Sequence, residues 1–271
     1  MSAEPVPHAA VEPAAFACLN CQATSVGEYC SRCGQKRIHD GDLSLAHAWH
    51  HVLHDALHLD GRLFATLKVL LTRPGQLTLD FVAGRRARHL GPLGLFLSLG
   101  TLYFMFASNW LGATLDLSYF MKQIKDPQVK VFIEQKAAAA GMTVEAYLHS
   151  RNESFHKVYK AAHMTAVLLG GVWLSLLFRT PRRYLAEHMV FVLHTGSFGF
   201  LLSLAGSWAA GWRGHTLVLL VIGLAYFVLA ARRVYGGAWA LLAAKGVLLQ
   251  FLEMAVVVLG MAAAFVKAAV F

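Results

Sequence analysis

The segment Tyr184-Leu-Ala-Glu-His-Met-Val-Phe-Val-Leu-His-Thr-Gly-Ser-Phe198 opens a long apolar run and carries three ionisable residues into it. Glu187 and His194 are seven residues apart, about two helical turns, so they share one helix face, while His188 points about 100° away. Ionisable side chains at bilayer depth are costly, and they usually pair, line a wet cavity or take part in chemistry. We therefore predict a membrane-spanning helix here, with Glu187, His188 and His194 as candidate functional residues.

The composition of the whole chain indicates a membrane protein. Of its 271 residues, 57% are hydrophobic and 14% are charged, whereas about a quarter of the residues in a soluble domain are charged. The Lys and Arg residues behind the formal charge of +9 gather beside apolar runs, where they orient the chain and contact anionic headgroups. We predict a mainly α-helical, polytopic membrane protein whose partner is the lipid bilayer, and no nucleic-acid partner is expected.

Five apolar runs predict about five spans within a transmembrane domain at 92–271. The runs lie at about 93–111, 161–178, 184–212, 216–231 and 238–265. Arginines in the short connections alternate between the two sides, which places the N-terminus in the cytoplasm and the C-terminus outside it. The polar helical loop at 113–160 is then extracytoplasmic. The first forty residues hold no apolar core of signal-peptide length, in keeping with a cytoplasmic N-terminus.

The fifth span carries two further ionisable residues, Lys245 and Glu253. Spans three and five run in the same direction, so residues at similar distances from their starts lie at similar depth. On this count His194 can pair with Glu253, and Glu187 with Lys245, which would offset the desolvation that each charge suffers alone. Such pairs either relay protons or hold a ligand, or they only fix the register of the helices.

Two Cys-x-x-Cys pairs, Cys18 with Cys21 and Cys30 with Cys33, lie in residues 16–38, after a lead at 1–15 that is predicted to be disordered. Four thiolates at this spacing can complete a tetrahedral zinc site. Two disulfides or a redox dithiol are the alternatives, but the cytoplasm is reducing and no βαβ pattern surrounds either pair. Because so short a module has no hydrophobic core, structural zinc would supply its folding energy. We predict a zinc ribbon that docks a cytoplasmic protein partner.

Histidines form two stripes in the chain. His47, His51, His54 and His58 are spaced four, three and four residues apart, on one side of an amphipathic helix. That stripe is a polar face at the membrane surface, a patch for a second transition metal, or a catalytic cluster. The catalytic interpretation follows from a resemblance to the histidine boxes of membrane di-iron desaturases and hydroxylases, from which this chain differs by crowding its histidines on one short helix.

The second stripe consists of His149, His156 and His163, at intervals of seven residues on the helix predicted after Gly141 and the capping residue Thr143. It is either a polar helix face or a face that binds a metal or senses protons.

Between the ribbon and the first span, residues 43–91 predict cytoplasmic amphipathic surface helices. The turn Arg73-Pro74-Gly75 interrupts them, because Pro and Gly both end a helix. The segment ends in three arginines that directly precede an apolar run and so predict a cytoplasmic membrane-surface anchor: Arg85, Arg86 and Arg88.

These motifs, with Cys33-Gly-Gln-Lys36 before them and Glu187-His188 after them, resemble a bacterial membrane family catalogued as domain of unknown function 3667. The resemblance implies a cytoplasmic zinc ribbon, a run of surface helices and several spans in the bacterial inner membrane. It implies no activity.

Two classes of function remain open. The first is a non-enzymatic adaptor, sensor or transport component, whose ribbon docks a cytoplasmic partner while buried Glu and His residues carry a proton, an ion or a small ligand. The alternative is a membrane-embedded metal-dependent enzyme that acts on a lipid or quinone-like substrate with His and Glu as metal ligands or as general acid and base. The number of bound metals per chain distinguishes the two classes, and the sequence predicts no oligomeric state.

Overall fold

The structure is a computed structural model that describes residues 15–37, 61–111, 117, 125–179, 184–207 and 214–270. Two short antiparallel strands, β1 (Phe16–Ala17) and β2 (Thr24–Ser25), form the ribbon. The helices of the described residues are α1 (Gly61–Thr72), α2 (Gln76–Val82), α3 (Pro92–Leu111), α4 (Pro127–Ala139), α5 (Val144–Leu177), α6 (Leu185–Ser207), α7 (His215–Tyr235) and α8 (Trp239–Val270). The predicted histidine stripe, His47, His51, His54 and His58, lies outside the described residues, as does the predicted lead except for its last residue.

Four described helices are long and apolar enough to cross a membrane: Val144–Leu177, Leu185–Ser207, His215–Tyr235 and Trp239–Lys267. A shorter apolar helix, Pro92–Phe106, lies where the first span was predicted. The prediction of a polytopic helical membrane protein is therefore confirmed.

The second predicted span is the C-terminal half of a longer helix. Helix α5 is continuous over 34 residues from Val144, so the predicted extracytoplasmic helix and the span that follows it form one element. Its start is the predicted one, because the hydroxyl of Thr143 accepts a hydrogen bond from the backbone N–H of Ala146 at 3.2 Å and so caps the first turn. Gly170 and Gly171 do not interrupt the helix.

Helix α6 is the centre of the bundle. It packs against α3, α5 and α7, and also against α2. Its side chains are accordingly buried on several faces, among them Phe191, His188 and Ser197. The segment chosen from the sequence as the functional centre is therefore also the structural centre.

The region around α4 has its own small core. Leu117, Ile133, Tyr147 and Phe155 are buried together there, with Ala264 from the end of α8. The polar region that precedes the second predicted span is thus a packed helical unit attached to α5 and α8.

Helices α1 and α2 do not merely lie on a surface. The Tyr226 hydroxyl on α7 donates a hydrogen bond to the backbone carbonyl of Leu70 at 2.9 Å, and the Arg233 guanidinium donates one to the carbonyl of Pro74 at 2.9 Å. At Gly75, in the left-handed conformation with φ of 80°, a Cβ would lie 2.7 Å from the carbonyl oxygen of Ala230. The Arg73-Pro74-Gly75 turn is therefore fitted against the backbone of α7.

Candidate functional site

The four cysteines form a compact group in the ribbon. Their sulfurs all lie within 4.8 Å of one another, with 3.5 Å between Cys18 and Cys33 and 3.6 Å between Cys21 and Cys30. A tetrahedron of sulfurs about 2.3 Å from a zinc ion has edges of about 3.8 Å. Within the described ribbon no two of the sulfurs are bonded, so the arrangement fits one metal ion rather than two disulfides.

The ribbon favours thiolates at two of these positions. The Ser25 hydroxyl donates a hydrogen bond to Cys30 Sγ at 3.3 Å and lowers the pKa of Cys30 to about 6. A hydrogen bond from the Asn20 side chain likewise lowers the pKa of Cys33. Because the thiolate is the form that binds metals, these contacts prepare the site for a cation.

Cys21 behaves in the opposite way. A backbone hydrogen bond from Ala23 lowers its pKa, but burial and the three neighbouring sulfurs oppose that effect, and the pKa of Cys21 rises to about 11. Four thiolates so close together repel one another unless a cation neutralises them. The group can therefore hold a metal.

The ribbon is joined to the membrane domain by the side chain of Gln35, two residues after Cys33. Its amide nitrogen donates a hydrogen bond to the carbonyl of Gly84 at 2.8 Å. Its amide oxygen accepts hydrogen bonds from the backbone N–H groups of Arg86 at 3.0 Å and Ala87 at 3.2 Å. Gln35 is buried, so this clamp fixes the conformation of the basic segment that precedes α3.

The clamped segment forms one wall of a small cleft of about 20 Å³, which is room for about one water molecule. Leu77 and Phe81 of α2 form the apolar side of the cleft, together with Leu90. Two arginines and two histidines complete its lining: Arg85, Arg86, His89 and His194. The cleft is thus polar on one side and apolar on the other.

The two arginines of the cleft have different surroundings. Arg85 forms an ion pair with Asp80 at 2.6 Å, and Gln76 donates to the same carboxylate oxygen at 3.0 Å. The Arg86 guanidinium lies 4.3 Å from the centre of the Phe81 ring, an arrangement that stabilises a cation through the ring face. The charge of Arg85 is therefore largely neutralised within the protein, and the charge of Arg86 is stabilised by the ring face of Phe81.

His89 is the least satisfied group of the cleft. Its Nδ1 is buried and has no hydrogen-bond partner in the described part of the chain. Burial lowers the pKa of His89; Asp80 opposes this shift and Arg88 adds to it. A buried ring nitrogen without a partner costs about 1–3 kcal/mol, so His89 lowers the stability of this part of the fold.

His194, predicted to pair with Glu253, has a different partner. Its Nδ1 lies 3.0 Å from the hydroxyl of Thr78 on α2, and both side chains are buried. Glu253 instead lies against α5, where its Oε1 would be 2.8 Å from a Cβ at Gly170. The predicted pair is corrected for this reason: similar depth does not bring two residues together when their helices present them to different neighbours.

Lys245 also differs from its predicted pairing with Glu187. Its ammonium donates a hydrogen bond to the carbonyl of Leu177 at 2.7 Å and lies 4.1 Å from the centre of the Phe178 ring. The last carbonyls of a helix carry partial negative charge and have no partner within the helix. Lys245 thus neutralises the end of α5 instead of a carboxylate.

His188 takes part in a line of aromatic contacts that begins at Lys245. Its Nδ1 lies 2.9 Å from the Tyr235 hydroxyl, and the two rings stack with their centres 5.5 Å apart. Tyr235 stacks in turn on Phe178 at 4.3 Å. The predicted intramembrane residues therefore divide among separate places: His194 at the cleft, His188 and Lys245 along this line, and Glu253 at Gly170.

His163 of the second stripe faces rings rather than solvent. The ring centres of Tyr103, Phe104, Tyr159 and Phe200 lie 5.6–6.2 Å from its own. Among the described residues, His163 belongs to no group of His, Cys, Asp or Glu side chains close enough to hold a metal. The contacts favour a packing role for this histidine.

Sequence reasoning missed Gln35, Thr78 and His89. Gln35 follows the second cysteine knuckle, but only the docked ribbon shows that it is a clamp. Thr78 is a polar residue on the buried side of a seven-residue helix. A polar side chain among apolar ones in this helix could have indicated a buried hydrogen bond. His89 directly follows the arginine anchor. Because its neighbours in the sequence are charged, the sequence predicted an exposed segment and not a buried ring nitrogen.

No curated protein and no solved structure matches this chain. Residues 60–104, which span α1, α2, the basic segment and the start of α3, match the model of the family described as Protein of unknown function (DUF3667), which confirms over those residues the family resemblance predicted from the sequence.

Proposed function

We propose that this protein is a non-enzymatic sensor or adaptor of the bacterial inner membrane, in which a cytoplasmic zinc ribbon is coupled to the helical bundle. The observation that carries this proposal is the Gln35 clamp. Gln35 lies next to the metal-binding knuckle, and its amide makes three hydrogen bonds to the basic segment. We therefore expect a change in the ribbon to alter the segment that forms one wall of the cleft, and a change in that segment to alter the ribbon.

Zinc is the metal that the ribbon suits best. A closed set of four thiolates in a tetrahedral arrangement is typical of structural zinc. The ribbon of 15–37 has two strands of two residues each, and so small a module depends on its metal for stability.

A protein partner on the cytoplasmic side is supported by the outer surface of the ribbon. Leu19, Val26 and Tyr29 are each 53% or more exposed. Apolar side chains grouped on so small a module provide a surface that another protein can cover. We propose that the partner binds these exposed side chains while Gln35 keeps the ribbon attached to the basic segment.

The orientation is proposed from the arginines, which cytoplasmic connections favour. Arg85, Arg86 and Arg88 precede α3, and Arg232 and Arg233 end α7. A cysteine introduced as Lys125→Cys should react with a membrane-impermeant reagent only from the extracytoplasmic side. Labelling from the cytoplasmic side alone would reverse the orientation.

The enzymatic alternative, a metal-dependent reaction on a lipid or quinone-like substrate, needs a second group of ligands. Among the described residues the four cysteines are the one group of three or more such side chains close enough to hold a metal. Metal analysis of the purified full chain distinguishes the two functions. One zinc per chain supports the sensor or adaptor, and additional iron or a second metal supports the enzyme.

The coupling itself is tested by hydrogen exchange in the full chain in detergent. The amides of Arg86 and Ala87 should exchange about fivefold faster after chelation or in Gln35→Ala, because the loss of one hydrogen bond is worth about 1 kcal/mol. The control is Arg32→Ala, since Arg32 is an exposed ribbon residue and its truncation should leave both amides protected. If chelation releases the ribbon while these amides stay protected, the coupling is wrong.

A further inference from the structure

We propose that Glu253 is a proton-binding site inside the membrane, and that the bound proton holds α8 against α5. Glu253 lies within α8, which is long and apolar enough to cross a membrane. The proposal goes beyond the sensor or adaptor function, because it needs neither the ribbon nor its metal nor a protein partner.

The first argument is the apolar surroundings of the carboxyl group. Its Oε1 lies against Gly170 of α5, at 2.8 Å from the point where a Cβ would be, and the two methyl groups of Val192 on α6 lie 3.3 and 3.8 Å from the same point. Gly170 and Val192 are both buried. The carboxyl of Glu253 is therefore next to an apolar side chain and to a helix backbone whose own N–H and C=O groups bond within α5.

Helices α5 and α8 also approach closely at a second level. A Cβ at Gly260 of α8 would collide with the Cβ of Ala162 on α5. Gly260 is seven residues after Glu253, and Ala162 is eight residues before Gly170, so the two contacts are about two helical turns apart on each helix. The carboxyl of Glu253 is thus held within an extended antiparallel contact that depends on residues without side chains.

The second argument is that the carboxyl has no partner. Among the residues that the structure describes, Glu253 has no hydrogen bond and no ion pair. An ionised carboxylate in an apolar layer is costly unless a cation or hydrogen-bond donors compensate it, whereas the protonated carboxyl is uncharged. The contact with Gly170 is therefore compatible with the protonated form, and loss of the proton would drive the carboxylate out of it.

The ionisable side chains of the surrounding helices have contacts of their own. Lys245 is eight residues before Glu253 on α8, about 12 Å along the helix, and donates to the carbonyl of Leu177. Within α5 the charged residue nearest in sequence to Gly170 is Lys160, ten residues away. Other ionisable groups of α5, α6 and α7 have these contacts: His163 with four aromatic rings, His188 with the Tyr235 hydroxyl, His194 with the Thr78 hydroxyl, Arg232 with the Gly237 carbonyl and Arg233 with the Pro74 carbonyl.

A proton suits this position better than a metal ion. Metal cations take several ligands, and in the described part of the chain Glu253 belongs to no group of three or more His, Cys, Asp or Glu side chains close enough to hold one. Gln250, one turn earlier on α8, faces a different helix, since its Nε2 lies 3.7 Å from the Cβ position of Gly223 on α7. A proton is the cation that a single carboxyl can bind.

The first test is modification of the full chain in phosphatidylcholine vesicles by dicyclohexylcarbodiimide, a lipid-soluble reagent. A protonated carboxyl gives its proton to a carbodiimide nitrogen while its oxygen bonds to the central carbon, so the reagent adds without a leaving group. Phe251 and Met254 beside Glu253 are 70% and 52% exposed, so this part of α8 is accessible from the lipid. We expect peptide mass mapping to find the label on Glu253 at pH 7, and the rate of labelling to fall about tenfold per pH unit once the proton is lost.

Two variants and a second reagent are the controls. Glu253→Gln should lose the label, and Gln250→Leu should keep it, because the structure shows no contact between Gln250 and the carboxyl among the described residues. Glu134 and Glu145 are exposed, so a water-soluble carbodiimide should modify them and leave Glu253 unmodified.

The second test is thermal melting of the full chain in detergent at pH 7 and pH 9. The folded chain holds a proton at Glu253 that the unfolded chain releases into water, so stability should fall as the pH rises. The wild-type chain should therefore melt at a lower temperature at pH 9. Glu253→Gln has an uncharged side chain of the same shape, so its melting temperature should fall less, while that of Gln250→Leu should fall as in the wild type.

Each outcome decides the proposal. Labelling of Glu253 by the lipid-soluble reagent, together with the smaller fall in Glu253→Gln, supports the proton-binding site. Labelling of Glu253 by the water-soluble reagent alone shows a hydrated carboxylate and overturns the site, and protection by sodium ions at constant pH assigns it to a metal ion and overturns it as well. If neither reagent reaches Glu253, melting decides: an equal fall in the wild type and in Glu253→Gln means that no proton at this position holds α8 against α5.

Discussion

Replacing Gly75 by Ala should destabilise the protein more than the same replacement at Gly141, another turn glycine with positive φ. Gly75 has φ of 80°, and the new Cβ would lie 2.7 Å from the carbonyl oxygen and 3.1 Å from the Cα of Ala230. The left-handed backbone costs a residue with a Cβ roughly 1 kcal/mol. Overpacking costs a further 1–3 kcal/mol, roughly, because both contacted atoms belong to the backbone of α7. The expected loss is therefore about 2–4 kcal/mol in the free energy of unfolding, measured by denaturant titration in detergent.

Two other glycines distinguish the cost of the left-handed backbone from the cost of overpacking. Gly141 has φ of 66° and open space around its Cβ position, so Gly141→Ala should show the backbone cost alone. Gly199 is helical and also has open space, so Gly199→Ala should be neutral or stabilise by about 0.5–1 kcal/mol. The reasoning is refuted if Gly75→Ala costs no more than Gly141→Ala, because the close fit of the turn against α7 would then contribute nothing.

Three further outcomes are expected. Elemental analysis should find one zinc per chain, and the double variant Cys18→Ser, Cys21→Ser should lose it, since two ligands cannot hold the metal; zinc retained by this variant would exclude the four-cysteine site. Thr78→Val should lower the free energy of unfolding by about 1–3 kcal/mol, because His194 Nδ1 would be buried without a partner; unchanged thermal melting would show that this hydrogen bond is dispensable. Burial lowers the pKa of His89 below 6.5, so the unfolded chain binds more protons below that pH and stability should fall as the pH drops from 7 to 5; the same fall in His89→Gln would assign it to another group.

The spans were predictable because their signals are local. Apolar length and flanking arginines identify a membrane helix from a short window of sequence, and Leu185–Ser207 and His215–Tyr235 lie where they were expected. The boundary at residue 161 was not predictable in this way. Helix α5 runs on from Val144 because the change from polar to apolar residues changes the environment of a helix without breaking its hydrogen bonds.

The partners of the intramembrane residues were not predictable from depth. Counting residues along two helices gives their height, but contact also depends on the direction of each side chain around its helix axis. Thr78 reaches His194 from 116 residues away in the sequence, since α2 packs into the bundle. Lys245 finds a helix end, Leu177, rather than a carboxylate. Both outcomes follow from tertiary packing that no local pattern encodes.

The cysteine site also has one feature that the sequence predicts and one that it does not. The spacing of Cys18, Cys21, Cys30 and Cys33 predicts that the four sulfurs converge, because each pair needs only a tight knuckle. The role of Gln35 depends on where the finished ribbon docks, and its partners are 49–52 residues further along the chain. The cysteine group, which lies within one short motif, was therefore predictable from the sequence. The contacts of Gln35 with a distant segment were not.

The distance between Gln35 and its partners also sets an order of events during synthesis. Gly84 is 49 positions after Gln35, so at about 5–20 residues per second the ribosome completes the ribbon several seconds before it makes Gly84. During that interval the ribbon has nothing to dock on, so any folding at this stage depends on its metal alone. Docking then follows once the basic segment has been made. A chain made without metal would complete its spans with the ribbon unattached. The hydrogen bonds of Gln35 to the basic segment would then be missing.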